Sequence, residues 1–181
     1  PLVEPLSLDE AYLDLALDVR RDPRAPAVLL AGLAKRVKAE VGISISIGLA
    51  PNKFLAKLAS EMEKPRGFSV IGRAEAKHVL APMPVSKVHG VGPATARRLE
   101  AAGLTTIGQL QELPQAELAT MFGKFGRRLA AFVHGDDPRR VTPERETKSV
   151  SAETTFSVDK RAVADLIAAV RPLCDRVAER L

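Results

Sequence analysis

The stretch ISISIGLAPNKFLAKLASEMEKPRGF, residues 43–68, decides the fold. Ile43, Ile45, Ile47 and Leu49 alternate with Ser44, Ser46 and Gly48, the period of a strand with one buried face. Pro51 and Asn52 then open a helix, because a short side-chain oxygen can accept from the unpaired amides of its first turn. The helical period carries it to about Glu63, and Pro65, Arg66 and Gly67 stop it. Residues 68–71 return as a short strand. A strand, a helix and a strand in so few residues predict a βαβ-type or ferredoxin-like layout, one sheet with helices on it.

Upstream, Pro26 suits a first helical turn, and Val28, Leu29, Leu33 and Val37 recur at helical spacing to about Glu40, where Gly42 ends the run. Residues 21–23 read as a loop. Earlier still, Leu6 and Leu8 share one face of a strand, with Ser7 and Asp9 on the other. Ala11, Leu13, Leu15 and Leu17 have the opposite parity. A one-residue flip moves every side chain to the other face, so a turn or bulge must fall between Leu8 and Ala11, with Asp9 and Glu10 at the break.

That break is where the chemistry concentrates. Two carboxylates about 4 Å apart repel by roughly 4 kcal/mol at an effective dielectric near 20, so their convergence needs a cation or a shared proton. Oxygen-only ligands together with a nucleotide phosphate describe a magnesium site. The alternative is a solvated Asp-Glu turn. On the helix that follows, 100° per residue brings Lys53, Lys57 and Lys64 within about 40° of one another. Phe54, Leu55, Leu58 and Met62 face the other side. Such a lysine stripe suits a triphosphate or a nucleic-acid backbone, or else is a solvated face.

From Arg73 the character changes to short helices punctuated by Gly and Pro. The spacing predicts helices over 73–80, 93–102, 107–113, 115–121 and 124–133. Val88 to Pro93 reads VHGVGP and leads into a helix bearing Arg97 and Arg98. Glycines there allow close backbone approach, so amides at the helix start can point at a phosphate. This is the logic of a helix-hairpin-helix, and FGKFGRR at 122–128 is a degenerate second copy. An ordinary interhelical turn is the plain alternative. Residues 135–146 lack apolar periodicity and read as a linker, 148–156 as a strand, and 159–181 as an amphipathic helix. That last pair has little to pack against by itself.

Composition narrows the classes. With 46% hydrophobic and 27% charged residues the chain can bury a core and is not a disordered tail. No apolar run approaches the roughly 18 residues of a membrane span. The first ten residues carry acids and no basic region, which argues against a signal peptide. A lone Cys174 and the scattered His78, His89 and His134 leave no disulfide and no soft-metal cluster, and predict a cytoplasmic protein. Residues 1–19 hold five acids and no Lys or Arg, leaving 27 bases against 22 − 5 = 17 acids elsewhere. An acidic opening and a basic body suit a polyanion partner with a separate carboxylate site.

Taken in order, SLDEAYLDL (7–15), SIGLAPNKFLAKLASEMEKPRGF (46–68), VHGVGPATARRLEAAGLTTIGQL (88–110), FGKFGRRLAAFVHGDD (122–137) and KSVSAETTF (148–156) resemble the Y-family translesion DNA polymerases. The resemblance implies an α+β chain. Residues 1–72 would be a partial ferredoxin-like palm, 73–134 a helix-hairpin-helix thumb, 135–147 a linker and 148–181 the start of a little finger. It implies two-metal nucleotidyl transfer from a dNTP to a primer 3′-hydroxyl in DNA repair. Asp9 and Glu10 would bind Mg²⁺, with Glu10 catalytic, and Lys64 and Lys53 would contact the triphosphate. Gly90, Val91, Gly92, Arg97, Lys124, Arg127 and Lys148 would contact primer–template DNA. The two Mg²⁺ ions would be shared with the dNTP and with a further aspartate that precedes the first residue of this sequence. The family's aromatic steric gate and fingers also lie upstream of that residue, so the chain is expected not to extend a primer alone. A monomer that meets a sliding clamp through a tail absent here is implied as well. The competing classes are a non-catalytic helix-hairpin-helix DNA-binding module and a structural or ribosomal RNA binder.

Overall fold

The computed structural model describes residues 2–16, 26–144 and 148–181. Leu17 and the loop expected at 21–23 therefore fall outside the described residues. The chain divides into two compact units, Pro1–Pro143 and Glu144–Leu181. The change of character at residue 73 lies inside the first of them.

The first unit opens with a hairpin. β1 (Leu2–Pro5) pairs antiparallel with β2 (Ala11–Asp14), Glu4 opposite Tyr12. The expected phase flip is the hairpin turn itself, in which the amides of Leu6 and Ser7 both donate to Glu10 O at 2.8 and 3.2 Å. The buried face differs from the one the alternation suggests. Glu4 and Tyr12 are buried, whereas Leu8 is fully exposed and Leu13 is also exposed. The reason is a buried cation: Lys53 Nζ bonds both Glu4 carboxylate oxygens and lies 5.0 Å from the centre of the Tyr12 ring.

α1 (Pro26–Val41) then packs near β3 (Ile47–Leu49). β3 pairs in parallel with β4 (Phe68–Val70) through the crossover helix α2 (Lys53–Met62), so the βαβ unit is present. The strand is shorter than the alternation over 43–49 predicts. A ladder exists only where β4 supplies a partner, and Ile43 stays exposed. Gly48 lets β3 and α2 touch, since a Cβ there would collide with Ala56 O and Ser60 N. Among the described residues the strands form two pairs, with no ladder joining β2 to β3, where alternation suggested one sheet.

Short helices complete the unit: α3 (Ala76–Leu80), a 3₁₀ turn (Val85–Lys87), α4 (Pro93–Ala101), α5 (Ile107–Gln111), α6 (Gln115–Phe122) and α7 (Lys124–Val133). α3 begins three residues later than expected, because the Glu75 carboxylate accepts from Gly72 N–H at 2.7 Å and holds 73–75 in a turn. α5 ends early too, but its start carries a full capping box between Thr106 and Gln109. One apolar cluster runs from Phe54, Leu55, Leu58 and Ile71 into Leu80, Leu99, Ile107, Leu129 and Phe132, with Phe54 and Phe132 stacked at 4.9 Å. Met62, grouped by periodicity with the buried face, is exposed.

Residues 135–144 are not a free linker. Gly135 O accepts from Asn52 Nδ2 at 2.7 Å, Asp137 Oδ2 from Phe54 N–H at 3.0 Å, and Glu4 Oε2 from Thr142 N–H at 2.8 Å. A segment can lack apolar periodicity and still be fixed by polar bonds. Residues 145–147 lie outside the described residues.

In the second unit α8 (Val163–Ala178) is shorter than the helix expected at 159–181 and carries Pro172 inside. Residues 148–156 form no strand, because a ladder needs a partner and this unit offers none among its described residues. Arg180 Nη1 does reach Ser151 O, at 2.8 Å. Among the described residues no helix is long and apolar enough to cross a membrane.

Candidate active site and nucleic-acid interface

α2 is fixed at its start by two side chains. Asn52 Oδ1 accepts from Leu55 N–H and Asp137 Oδ2 from Phe54 N–H, each at 3.0 Å. Two of the first-turn donors are thus committed inside the protein, and attraction for phosphate must come from lysines farther along.

One turn on, Lys57 Nζ meets Glu10 Oε1 at 2.7 Å, both side chains about one-third exposed. Asp9 is exposed beside it and accepts from Ser7 Oγ at 2.6 Å. That hydrogen bond, then its own backbone amide and the charges of Lys64 and Lys57, hold the Asp9 carboxyl below its ordinary value. Lys64 lies past the helix end, paired with Glu61 at 2.6 Å. The Glu61 pairing first, and the charges of Glu10 and Asp9 after it, raise the Lys64 pKa. Asp9, Glu10, Lys57 and Lys64 therefore share one exposed neighbourhood in which each sign steadies the other.

Lys53 does not join them. Its ammonium is buried at 2.8 and 2.6 Å from the two Glu4 oxygens, and also donates to Arg140 O at 3.3 Å. The spacing that placed it in the stripe is right, but its charge is turned toward the hairpin.

Among the described residues no group of three or more His, Cys, Asp or Glu side chains is placed to hold a metal. Magnesium is usually held by one or two carboxylates plus substrate phosphates rather than by an all-protein cage. Two hard-oxygen donors in water beside two lysines fit that demand.

The hairpins lie in the same unit. Gly90 has φ 92°, and a Cβ there would come within 2.9 Å of Phe125 Cε2, so only glycine lets the first hairpin abut α7. Gly92 is the N-cap of α4 with open space around its Cα. Val91 is buried and its amide donates to Val88 O at 2.9 Å, so its part is structural. Arg97, Lys124 and Arg127 are exposed. Arg98 is tied down by Met121 O at 3.1 Å and lies over Phe122. Lys148, in the second unit, is exposed. Sequence reasoning passed over Lys57 as a site residue although its stripe position signalled it. It assigned no role to Asp137 and Arg139, which pair with each other two residues apart and reach Phe54 and His89 far away in the chain.

Profiles of one family match in order: the impB/mucB/samB family over residues 1–61, the IMS family HHH motif over 73–104, and the impB/mucB/samB family C-terminal domain over 147–181. A DNA polymerase IV of Brucella melitensis is 51% identical over 181 residues, covering all of this chain and 41% of that protein. One of Caulobacter vibrioides is 47% identical over 180 residues, covering 99% of this chain and 45% of its own. A solved Y-family DNA polymerase chimera superposes with a TM-score of 0.84 at 24% identity, over 99% of this chain and 52% of that one. The fold is thus that of a Y-family DNA polymerase, and the chain belongs to the impB/mucB/samB family, the Y-family polymerases its motifs resemble. It spans less than half the length of these two curated relatives.

Proposed function

We propose that this chain is part of a translesion DNA polymerase, with 1–72 a partial palm, 73–134 the thumb, 135–147 the connection and 148–181 the start of the little finger. Asp9 and Glu10 would hold Mg²⁺ through carboxylate oxygens, the charge of Glu10 kept in place by Lys57. Lys64 would neutralise the triphosphate of the incoming dNTP. Lys53 is left out of that site because Glu4 occupies its ammonium. Gly90 and Gly92 would bring backbone close to primer phosphates, with Arg97, Lys124, Arg127 and Lys148 as further backbone contacts. When bound, magnesium stabilises the attacking and leaving oxygens of the phosphoryl transfer. The other partners in this reading are primer–template DNA, dNTP and a sliding clamp, met by a cytoplasmic monomer.

The observation that carries the reading is the 2.7 Å Lys57–Glu10 pair with Asp9 alongside, within the field of Lys64. In a protein of the relatives' full length that contains this chain, Asp9→Asn should remove magnesium-dependent nucleotide incorporation while primer–template affinity stays within about twofold. Unaltered synthesis would refute the role of Asp9, whereas duplex binding with no incorporation by the parent protein would favour a non-catalytic helix-hairpin-helix module.

A further inference from the structure

Asp137 and Arg139 lie in the segment that lacks apolar periodicity, yet they bridge the two halves of the proposed site. Both Asp137 oxygens are engaged. Oδ2 accepts from Phe54 N–H at 3.0 Å and Arg139 Nη2 at 2.7 Å, and Oδ1 from Arg139 Nε at 2.8 Å and its amide at 3.2 Å. A bidentate guanidinium–carboxylate pair fixes direction as well as distance. The Asp137 side chain is wholly buried and Arg139 about one-third exposed, so water competes poorly for the pair.

From this pair the contacts run two ways. Phe54 is the second residue of α2, the helix that carries Lys57 to Glu10. In the other direction the Arg139 guanidinium lies 5.3 Å over the Phe132 ring, and its Nη1 donates to His89 Nε2 at 3.4 Å. That donation requires a neutral imidazole, and burial, then the charges of Arg139 and Arg128, lower the His89 pKa accordingly. His89 adjoins Gly90 at the tip of the first hairpin. One ion pair therefore holds the start of α2 and the hairpin tip against the same groups.

We infer that Asp137, acting through Arg139, is a positioning residue that sets the register between the hairpin holding the primer backbone and the helix facing the triphosphate. The inference rests on the polymerase reading. Reacting atoms must approach to about 3–3.5 Å, and a displacement near 1 Å in their alignment can cost about a hundredfold in rate. Loosening the pair leaves each phosphate contact available and spoils only their mutual placement. The signature is a loss in kcat without a loss in DNA affinity.

The test uses the full-length protein, with active sites titrated so that misfolded molecules do not count. Asp137→Ala, Arg139→Ala and the double variant should each lower kcat for single-nucleotide incorporation by about tenfold or more. The double should be no worse than the singles, since the two side chains act as one unit. Primer–template Kd should stay within twofold, and Arg139→Lys, which keeps charge and loses the fork, should fall between. Amide hydrogen exchange should quicken in both 53–55 and 88–92 and stay unchanged in α6. Normal titrated kcat with only a lowered melting temperature would make the pair merely structural and overturn the inference, as would a weakened Kd at unchanged kcat. A wild-type protein that incorporates nothing would instead sink the polymerase reading, and this inference with it.

Discussion

Lys53 and Lys57 stand one helical turn apart with the same charge, and their surroundings give them different work. Lys53 is sealed against Glu4, side chains 8% and 0% exposed, whereas Lys57 and Glu10 remain in contact with water. Removing one member of a buried pair strands the other charge and costs about 3–5 kcal/mol, while an exposed pair is worth about 1 kcal/mol or less. Urea denaturation should therefore show Lys53→Met far less stable than Lys57→Met, with Glu4→Leu added to Lys53→Met recovering most of the loss. An equal effect of the two single changes would contradict the burial of Lys53. The 100° arithmetic put both lysines on one stripe, but the partner that turns Lys53 inward is 49 residues away, beyond any periodicity. Asp137 has its Arg139 partner two residues on, but the Phe54 amide that it also holds is 83 residues away, and it carries a pH dependence. Burial alone would raise its carboxyl, but the hydrogen bonds and charge of Arg139, with the Phe54 amide, outweigh it and hold the pKa below 3.8. A depressed carboxylate stabilises the fold above its unfolded pKa, and that stability disappears as pH falls from about 4 through the folded value. Denaturation midpoints of Asp137→Asn should fall less steeply over that acid range than those of the parent, and parallel curves would show the carboxylate contributes nothing.

At the scale of elements, helices declared themselves by punctuation and strands did not. Gly92-Pro93, Thr106 with Gln109, and Gly123 mark starts and stops that local backbone chemistry enforces, and α4 to α7 begin where expected. A strand is completed by another strand, so alternation over 43–49 gave a three-residue β3 and the pattern at 148–156 gave none. The hairpin of α6 and α7 depends on a close approach: Gly123 turns at φ 59°, and a Cβ on Gly126 would run into Leu118 O. Backbone cannot step aside as a flexible side chain can, and overpacking of this kind costs about 1–3 kcal/mol. Gly126→Ala should lower the melting temperature by about 4–8 °C, taking about 2 kcal/mol in a chain of this size. Gly32→Ala, where nothing lies within 4 Å of the added carbon, provides the control and should not destabilise. Equal melting temperatures for the two variants would mean that α6 and α7 are not in contact at Gly126.

For the molecule as a whole, charge and donor count separate holding DNA from reacting on it. Beyond residue 19 the chain carries ten more bases than acids, and Arg97, Lys124 and Arg127 are exposed on the hairpin helices. Each phosphate neutralised releases counterions and adds about 0.9 to the slope of log affinity against log salt for duplex DNA. The 181-residue chain should therefore bind primer–template duplex in a salt-dependent way. Arg97→Ala with Arg127→Ala should flatten the slope by about 1.8, and Asp9→Asn should leave it alone. Synthesis asks for more than attraction. Among the described residues only Asp9 and Glu10 stand at the proposed cation site, and transfer with two bound ions needs ligands on both sides of the reacting phosphate. Duplex binding by this chain with no incorporation at any magnesium concentration is the expected result. Incorporation by the chain alone would mean that two carboxylates suffice. A salt slope untouched by the arginine pair would move the DNA off the hairpins.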